Sequence, residues 1–455
     1  MRRSFWCLLA ALLCGVVVLT LAGAASAQDF LYRKNPLHIK VAGAVPSNAV
    51  PADAGAPSCG TLPSGLPLIC YPPSYIRAAY NYPSIASGLI GTGQTIVLVD
   101  AFGSPTIAND LAVFDKQFGI PAPPSFTVVC PQGCPAFNPN PNASHDEAGW
   151  SIETSLDVEY AHAMAPGAKI VLVVASTNSG NALNNATKYA VEHYPGSVIS
   201  QSFGVPEFVV HNNNSQIKQG HANFAQARAN GITVLASAGD LGATNGSAIS
   251  NAAFPASDPL VTAVGGTEGL PYPNGLFSLS TAPNFYGAEQ VWNEQDTTDG
   301  IVAATGGAPS LIFPVPAFQA GLNVPSRTIP DISYNAAVNG GVLVYWSALG
   351  GANAGFYIVG GTSAGSPQWA SIIAIANQYS NAHGHSSLGY INPALYALAQ
   401  SSTAARDLHD ITVGNNQLLG TPIGYSAAPG YDWATGWGTP NVSNLVPDLV
   451  TAVFH

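Results

Sequence analysis

The strongest constraint on the fold of this chain is a series of short runs that stay apolar on both faces. They are Thr95–Asp100, Lys169–Ala175, Val198–Ser202, Ile232–Ser237, Leu260–Val264 and Gly341–Trp346, all rich in Val or other large apolar residues. A strand with water on one side alternates apolar and polar residues. A strand covered on both sides has no reason to. Helix-like stretches such as Asn184–His193 and Gln216–Ala229 lie between these runs. The alternation predicts an α/β fold, a three-layer α/β/α arrangement with a mainly parallel sheet. In such sheets chemistry collects just beyond the carboxyl ends of the strands, so those positions are searched first.

The ends of the chain set its compartment. Arg2 and Arg3 precede an apolar run, Phe5 to Ala22, which closes on Ala25-Ser26-Ala27. That order predicts a secretory signal peptide over 1–27 and a secreted, extracellular product, with no membrane contact after its removal. Residues 28–70 read as a short leader rich in Ala, Pro and Gly, and regular structure is expected from about Pro72, in a domain over 71–450. Of six cysteines, Cys7 and Cys14 fall in the signal. The other four allow three pairings, and short separations favour Cys59–Cys70 and Cys130–Cys134. Lys plus Arg number 13 against 24 Asp plus Glu, so no basic surface exists to hold nucleic acid. Charged residues are only 8% of the chain, which limits charge repulsion when carboxylates protonate.

Three segments carry candidate chemistry. In Gly360-Gly361-Thr362-Ser363-Ala364-Gly365-Ser366-Pro367, a serine follows a glycine turn and precedes an apolar helix, Gln368–Gln378. The positive end of a helix favours a developing oxyanion there, and Pro367 suits a first helical turn. A bare Gly-Thr-Ser would read equally as a helix cap. The second segment is Glu153-Thr154-Ser155-Leu156-Asp157, on a helix whose start is marked by Ser144 and Glu147 at capping-box spacing. Residues four apart share a face, so Glu153 and Asp157 point together, among apolar neighbours. Paired carboxylates share protons, which suits a base working in acid. The third is Gly239-Asp240 at the end of Ile232–Ser237. Asp240 can donate a hydrogen bond to an oxyanion only when protonated. None of the histidines ahead of Ser363 has a neighbourhood suited to a base, and His383-Gly384-His385 follows it in a polar stretch.

With these segments in this order, the chain resembles the sedolisin family of serine-carboxyl peptidases, which have a subtilisin-like fold. The family pattern Glu-x-x-x-Asp falls on Glu153 and Asp157, Gly-Asp on Gly239-Asp240, and Gly-Thr-Ser-Ala on Gly361 to Ala364. Smaller matches include Phe254-Pro255-Ala256-Ser257 and Pro330-Asp331-Ile332-Ser333, and the likeness covers roughly residues 70–445. The resemblance implies Ser363 as nucleophile, Glu153 as general base, Asp157 as its orienting partner, and Asp240 with the Ser363 amide as oxyanion hole. It also implies one structural calcium ion (Ca2+), held by the Asp410 and Asp432 side chains and the carbonyls of Ile411, Ala428 and Gly430. Oxygen-only ligands of this kind suit calcium. The large prodomain usual in the family has no counterpart in 28–70, which puts its mode of maturation in doubt.

The expectation is therefore a serine-type endopeptidase acting on protein or peptide substrates in acid, as a monomer. Removal of tripeptides is the nearest alternative. A non-catalytic binding protein on the same scaffold is a second, opposed by the intact set of four site residues. A conventional subtilisin using Asp100 is a third, and it lacks a suitable histidine.

Overall fold

The computed structural model describes residues 37–42, 44–47, 57–140, 147–210, 214–269 and 289–455. The expected signal peptide and the Ser144 cap lie outside the described residues. At the centre is an eight-stranded sheet: β1 (Thr95–Ala101), β2 (Phe126–Val129), β3 (Lys169–Ala175), β4 (Val198–Gln201), β5 (Thr233–Ser237), β6 (Thr262–Glu268), β7 (Gln290–Val291) and β8 (Ile332–Asn335). Its order is β7-β6-β5-β4-β1-β3-β2, with β8 also paired to β6. Every pairing is parallel except β6 with β7.

The two-face burial has a direct cause. Successive side chains of a strand point to opposite sides. Ile96, Leu98, Ile170, Leu172, Val198 and Leu235 enter one core. Val97, Val99, Val171, Val173, Ile199 and Val234 enter the other. The first core is closed by α1 (Ile107–Phe118), α2 (Glu147–Met164) and the helix that follows the Ser363 turn. The second is closed by α3 (Gly180–His193) and α4 (Asn214–Ala229). Three layers result, as expected.

One run belongs elsewhere. Gly341–Trp346 lies in a second, five-stranded sheet rather than in the central one. The chain turns back after it, and Gly355–Val359 returns antiparallel beside it. It packs on both α1 and α2: Tyr345 donates its backbone N–H to Glu159 Oε2 at 2.9 Å, and Trp346 Nε1 donates to Ser151 Oγ at 3.0 Å.

The stretch read as a short leader, where described, contributes strands to this second sheet. His38–Lys40 pairs with Gly355–Val359, and Pro67–Tyr71 pairs with Gly341–Trp346 and with Ser58–Thr61. Cys59–Cys70 ties the last two strands together, and Cys130–Cys134 closes the turn after β2. Both pairings match the expectation from spacing. Gly360 N–H donates to the Leu37 carbonyl at 3.0 Å, so the N-terminal strand is anchored three residues ahead of Ser363.

Candidate active site

Ser363 stands at the N-terminus of α5 (Thr362–Ala382), beyond the carboxyl end of the central sheet. The helix begins at Thr362, six residues earlier than the apolar run Gln368–Gln378 suggested. Pro367 therefore sits inside it rather than in its first turn. A proline has no N–H to give, so the Ser363 carbonyl, four residues back, loses its ordinary helical donor. The hydroxyl of Ser202, just past the end of β4, lies 3.4 Å from that carbonyl as a donor.

The same hydroxyl lies 2.9 Å from Asp157 Oδ1. Ser202 thus spans from the acidic helix α2 to the residue carrying the candidate nucleophile. All three side chains are buried, Ser363 being 2% exposed. Glu153 is buried one turn before Asp157 on the same face of α2. Helices α2 and α5 pack against each other, and Ser371 Oγ donates to the Ala161 carbonyl at 2.9 Å. Ser200 and Ser366 hydroxyls, 2.8 Å apart, tie α5 to β4.

Asp240 follows β5 and comes to the first turn of α5 from the other side. Its Oδ1 accepts from both the backbone N–H and the hydroxyl of Thr362, each at 2.8 Å. The Thr362 hydroxyl also accepts from Gly239 N–H at 3.1 Å. The second oxygen, Oδ2, rests over Gly361. A Cβ on Gly361 would come within 2.7 Å of it, and Gly361 has φ +106°, a conformation that other residues rarely adopt. Glycine is therefore required here twice over.

Asp157, Asp240 and Ser363 thus meet around one helix end, with Glu153 one turn before Asp157 on its helix. Two linkages join segments far apart in the sequence: Ser202 reads locally as the last residue of a strand, and Thr362 as part of a turn. Among the described residues, no histidine is hydrogen-bonded to Ser363. His162, the most buried of them, bonds to the Pro121 carbonyl at 2.9 Å and lies 3.3 Å from Asp115.

The expected calcium ligands form a separate loop cluster. Gly430 N–H donates to Asp410 Oδ2 at 2.9 Å. Asp432 Oδ1 accepts from the amides of Ala434 and Thr435, each at 2.8 Å, and its Oδ2 accepts from Ala428 N–H at 3.2 Å. Burial pushes both carboxyls up, Asp432 to about 6. The carbonyls of Ile411, Ala428 and Gly430 accept no hydrogen bond from the described residues. The buried carboxyl of Asp432, the exposed one of Asp410 and three unclaimed carbonyls form an all-oxygen donor set, which fits a calcium ion.

Fold and site together define a subtilisin-like α/β protein with a serine at a helix end and carboxyl groups, in place of histidine, around it. Residues 136–392 match the subtilase family. Kumamolisin of Bacillus sp. (strain MN-32) is 34% identical over 395 residues, covering 84% of this chain and 64% of that protein. Sedolisin of Pseudomonas sp. (strain 101) is 29% identical over 80% of this chain and 60% of its own. The solved structure of Pseudomonas sedolisin, a serine-carboxyl proteinase complexed with two molecules of pseudo-iodotyrostatin, superposes with a TM-score of 0.65 at 26% identity. That match covers 83% of this chain and 97% of the other. This chain belongs to the subtilase family. It spans a little under two thirds of the length of the curated relatives it matches.

Proposed function

We propose that this chain is a serine-type endopeptidase that hydrolyses peptide bonds in acid through an acyl-enzyme on Ser363. The observation that carries the reading is the double attachment of the α5 N-terminus: Asp157 to it through Ser202, and Asp240 to it through Thr362.

The chemistry follows from what each group can hold. Glu153 takes the proton of the Ser363 hydroxyl as its oxygen attacks the substrate carbonyl. Asp157, fixed by Ser202, keeps Glu153 oriented, as the acid of a serine protease orients its histidine. The carbonyl oxygen becomes an oxyanion between the Ser363 backbone N–H and the proton of a neutral Asp240. Donors placed where charge develops supply much of the rate. The tetrahedral carbon then expels the amine, which takes its proton from Glu153. Water, deprotonated by Glu153, attacks the ester and frees Ser363. Below about pH 5 an imidazole is mostly protonated and accepts no proton, whereas a carboxylate still can.

One structural calcium at Asp410, Asp432 and the three carbonyls belongs to the same proposal, as do secretion and a monomeric state. No helix among the described residues is long and apolar enough to cross a membrane. The test is digestion of a denatured protein across acid to neutral pH, beside Ser363→Ala, with product lengths read by mass spectrometry. Internal fragments lost in the variant support an endopeptidase. Products made only of tripeptides from the amino end would replace that reading. No cleavage by folded, calcium-supplied protein would overturn it.

A further inference from the structure

We propose that Asn416, which lies outside the four expected catalytic residues, is a positioning residue for the reaction. It holds the turn that carries Asp240. The inference rests on the reading of Asp240 as an oxyanion donor. That turn leaves the central sheet at the end of β5, so strand pairing no longer fixes it. Other bonds take over. Gly306 N–H donates to the Gly239 carbonyl at 2.6 Å, and Ala304 N–H to the Asp240 carbonyl at 3.1 Å. Three residues past Asp240, the Ala243 N–H donates to the Asn416 carbonyl at 3.2 Å.

Asn416 also grips the segment that braces this turn. It is fully buried, and its Nδ2 donates to the carbonyl of Gly307, next to Gly306, at 3.0 Å. Its Oδ1 accepts from Tyr425 N–H at 2.7 Å, and its own N–H donates to the Tyr425 carbonyl at 3.1 Å. One residue thus joins the Asp240 turn, the brace of that turn and the hairpin arm in which Asn416 sits. The arm is itself fixed. Ala427 N–H donates to the Gly414 carbonyl at 3.0 Å, and the arm's two ends run into the loop cluster of Asp410 and Asp432. These contacts need room. Gly242 has φ +65°, and a Cβ there would come within 2.6 Å of the Asn416 carbonyl. A Cβ on Gly307 would come within 3.0 Å of Asn416 Nδ2.

The residue type fits the task. A side-chain amide carries its donor and its acceptor on separate atoms, so Asn416 serves two backbones at once. An oxyanion donor works because it is fixed before charge develops. A displacement of about 1 Å can cost about a hundredfold in rate. Thr362 fixes the Asp240 carboxyl from α5, and Asn416 fixes the turn beneath it. A slack turn would leave the binding of substrate in place and slow the chemical step.

The test is steady-state peptide hydrolysis by the full chain, with calcium supplied, across acid to neutral pH. The parent is set beside Asn416→Leu, Asn416→Asp and Ser363→Ala, and near-ultraviolet circular dichroism reports folding at each pH. Asn416→Leu keeps the volume and loses both side-chain bonds, so kcat should fall about tenfold or more with a smaller change in KM. Asn416→Asp supplies the sharper readout. As a neutral carboxyl, which burial favours, it still accepts from Tyr425 and donates to Gly307. Once ionised, it sets a negative oxygen against the Gly307 carbonyl. Its activity should match the parent's to within about threefold in strong acid, and should fail at a lower pH than the parent's does while the fold persists. If Asn416→Leu does not fold, Asn416→Asp decides alone. Parent-like kcat in Asn416→Leu, a change confined to KM, a pH profile of Asn416→Asp equal to the parent's, or losses that only follow unfolding overturn the proposal. An inactive parent, or an active Ser363→Ala, instead overturns the peptidase reading and this inference with it.

Discussion

The hydroxyl of Ser202 lies 2.9 Å from Asp157 Oδ1, and it faces the carbonyl of Ser363 at 3.4 Å. One short side chain therefore sets the spacing between the acidic helix and the nucleophile helix. Ser202→Ala should lower kcat about tenfold or more with a smaller change in KM, because it frees Asp157 without touching the substrate's binding energy. It should also move the acid limb of the pH profile. Steady-state kinetics across pH check this, and an unchanged profile would reduce Ser202 to a packing residue.

Gly361 is held between a positive φ and the carboxylate of Asp240. Gly361→Ala should cost about 1–3 kcal/mol in denaturant unfolding from backbone strain alone. It should also displace Asp240 Oδ2, so residual activity should fall further than stability does. Equal stability of variant and parent would contradict this geometry.

Glu159 gives a pH dependence with a defined sign. It is fully buried on α2, where burial drives its carboxyl well above the ordinary carboxylate range, reinforced by Asp110 and Asp115 on α1. The amide of Tyr345 opposes this only in part. The native state thus keeps the proton after the unfolded chain has lost it, above about pH 4.3. Stability contributed by this site is fullest in acid and falls as pH rises towards the native value. Thermal midpoints across that window should decline in the parent and decline less in Glu159→Gln.

Calcium should stabilise the native chain by mass action. With the ion about a hundredfold above its Kd, the gain is about 2.7 kcal/mol. A chelator should therefore lower the thermal midpoint by several degrees. Asp410→Asn with Asp432→Asn should remove that response, and isothermal titration should show binding lost. A midpoint indifferent to chelator would speak against the site.

Much of this was legible because it is written locally. Val99 and Val173 read as two-face strands because each sits in a run with no polar alternation, and burial on both faces is what the fold provides. Glu153 and Asp157 share a face by helix periodicity alone. What escaped is long-range. Ser202 and Asp157 are 45 residues apart, and nothing near Ser202 in sequence announces its partner. Pro367 reads as a helix start because the preceding glycines and small residues hide a helical turn that tertiary packing supplies. Gly341–Trp346 reads as a central strand because it is apolar on both faces, and its packing against α1 and α2 cannot be read from any one segment. His38–Lys40 is too short to show a period, and only its partner Gly355–Val359 defines it as a strand.

The central claim is that a carboxylate, not a histidine, takes the proton of Ser363. The most direct measurement is kcat/KM across acid to neutral pH for the parent, Glu153→Gln and Ser363→Ala, each confirmed folded. The mechanism predicts activity greatest in acid and a loss of about a thousandfold or more in both variants. Full acid activity in Glu153→Gln, or a parent that works only where histidine is neutral, would contradict it.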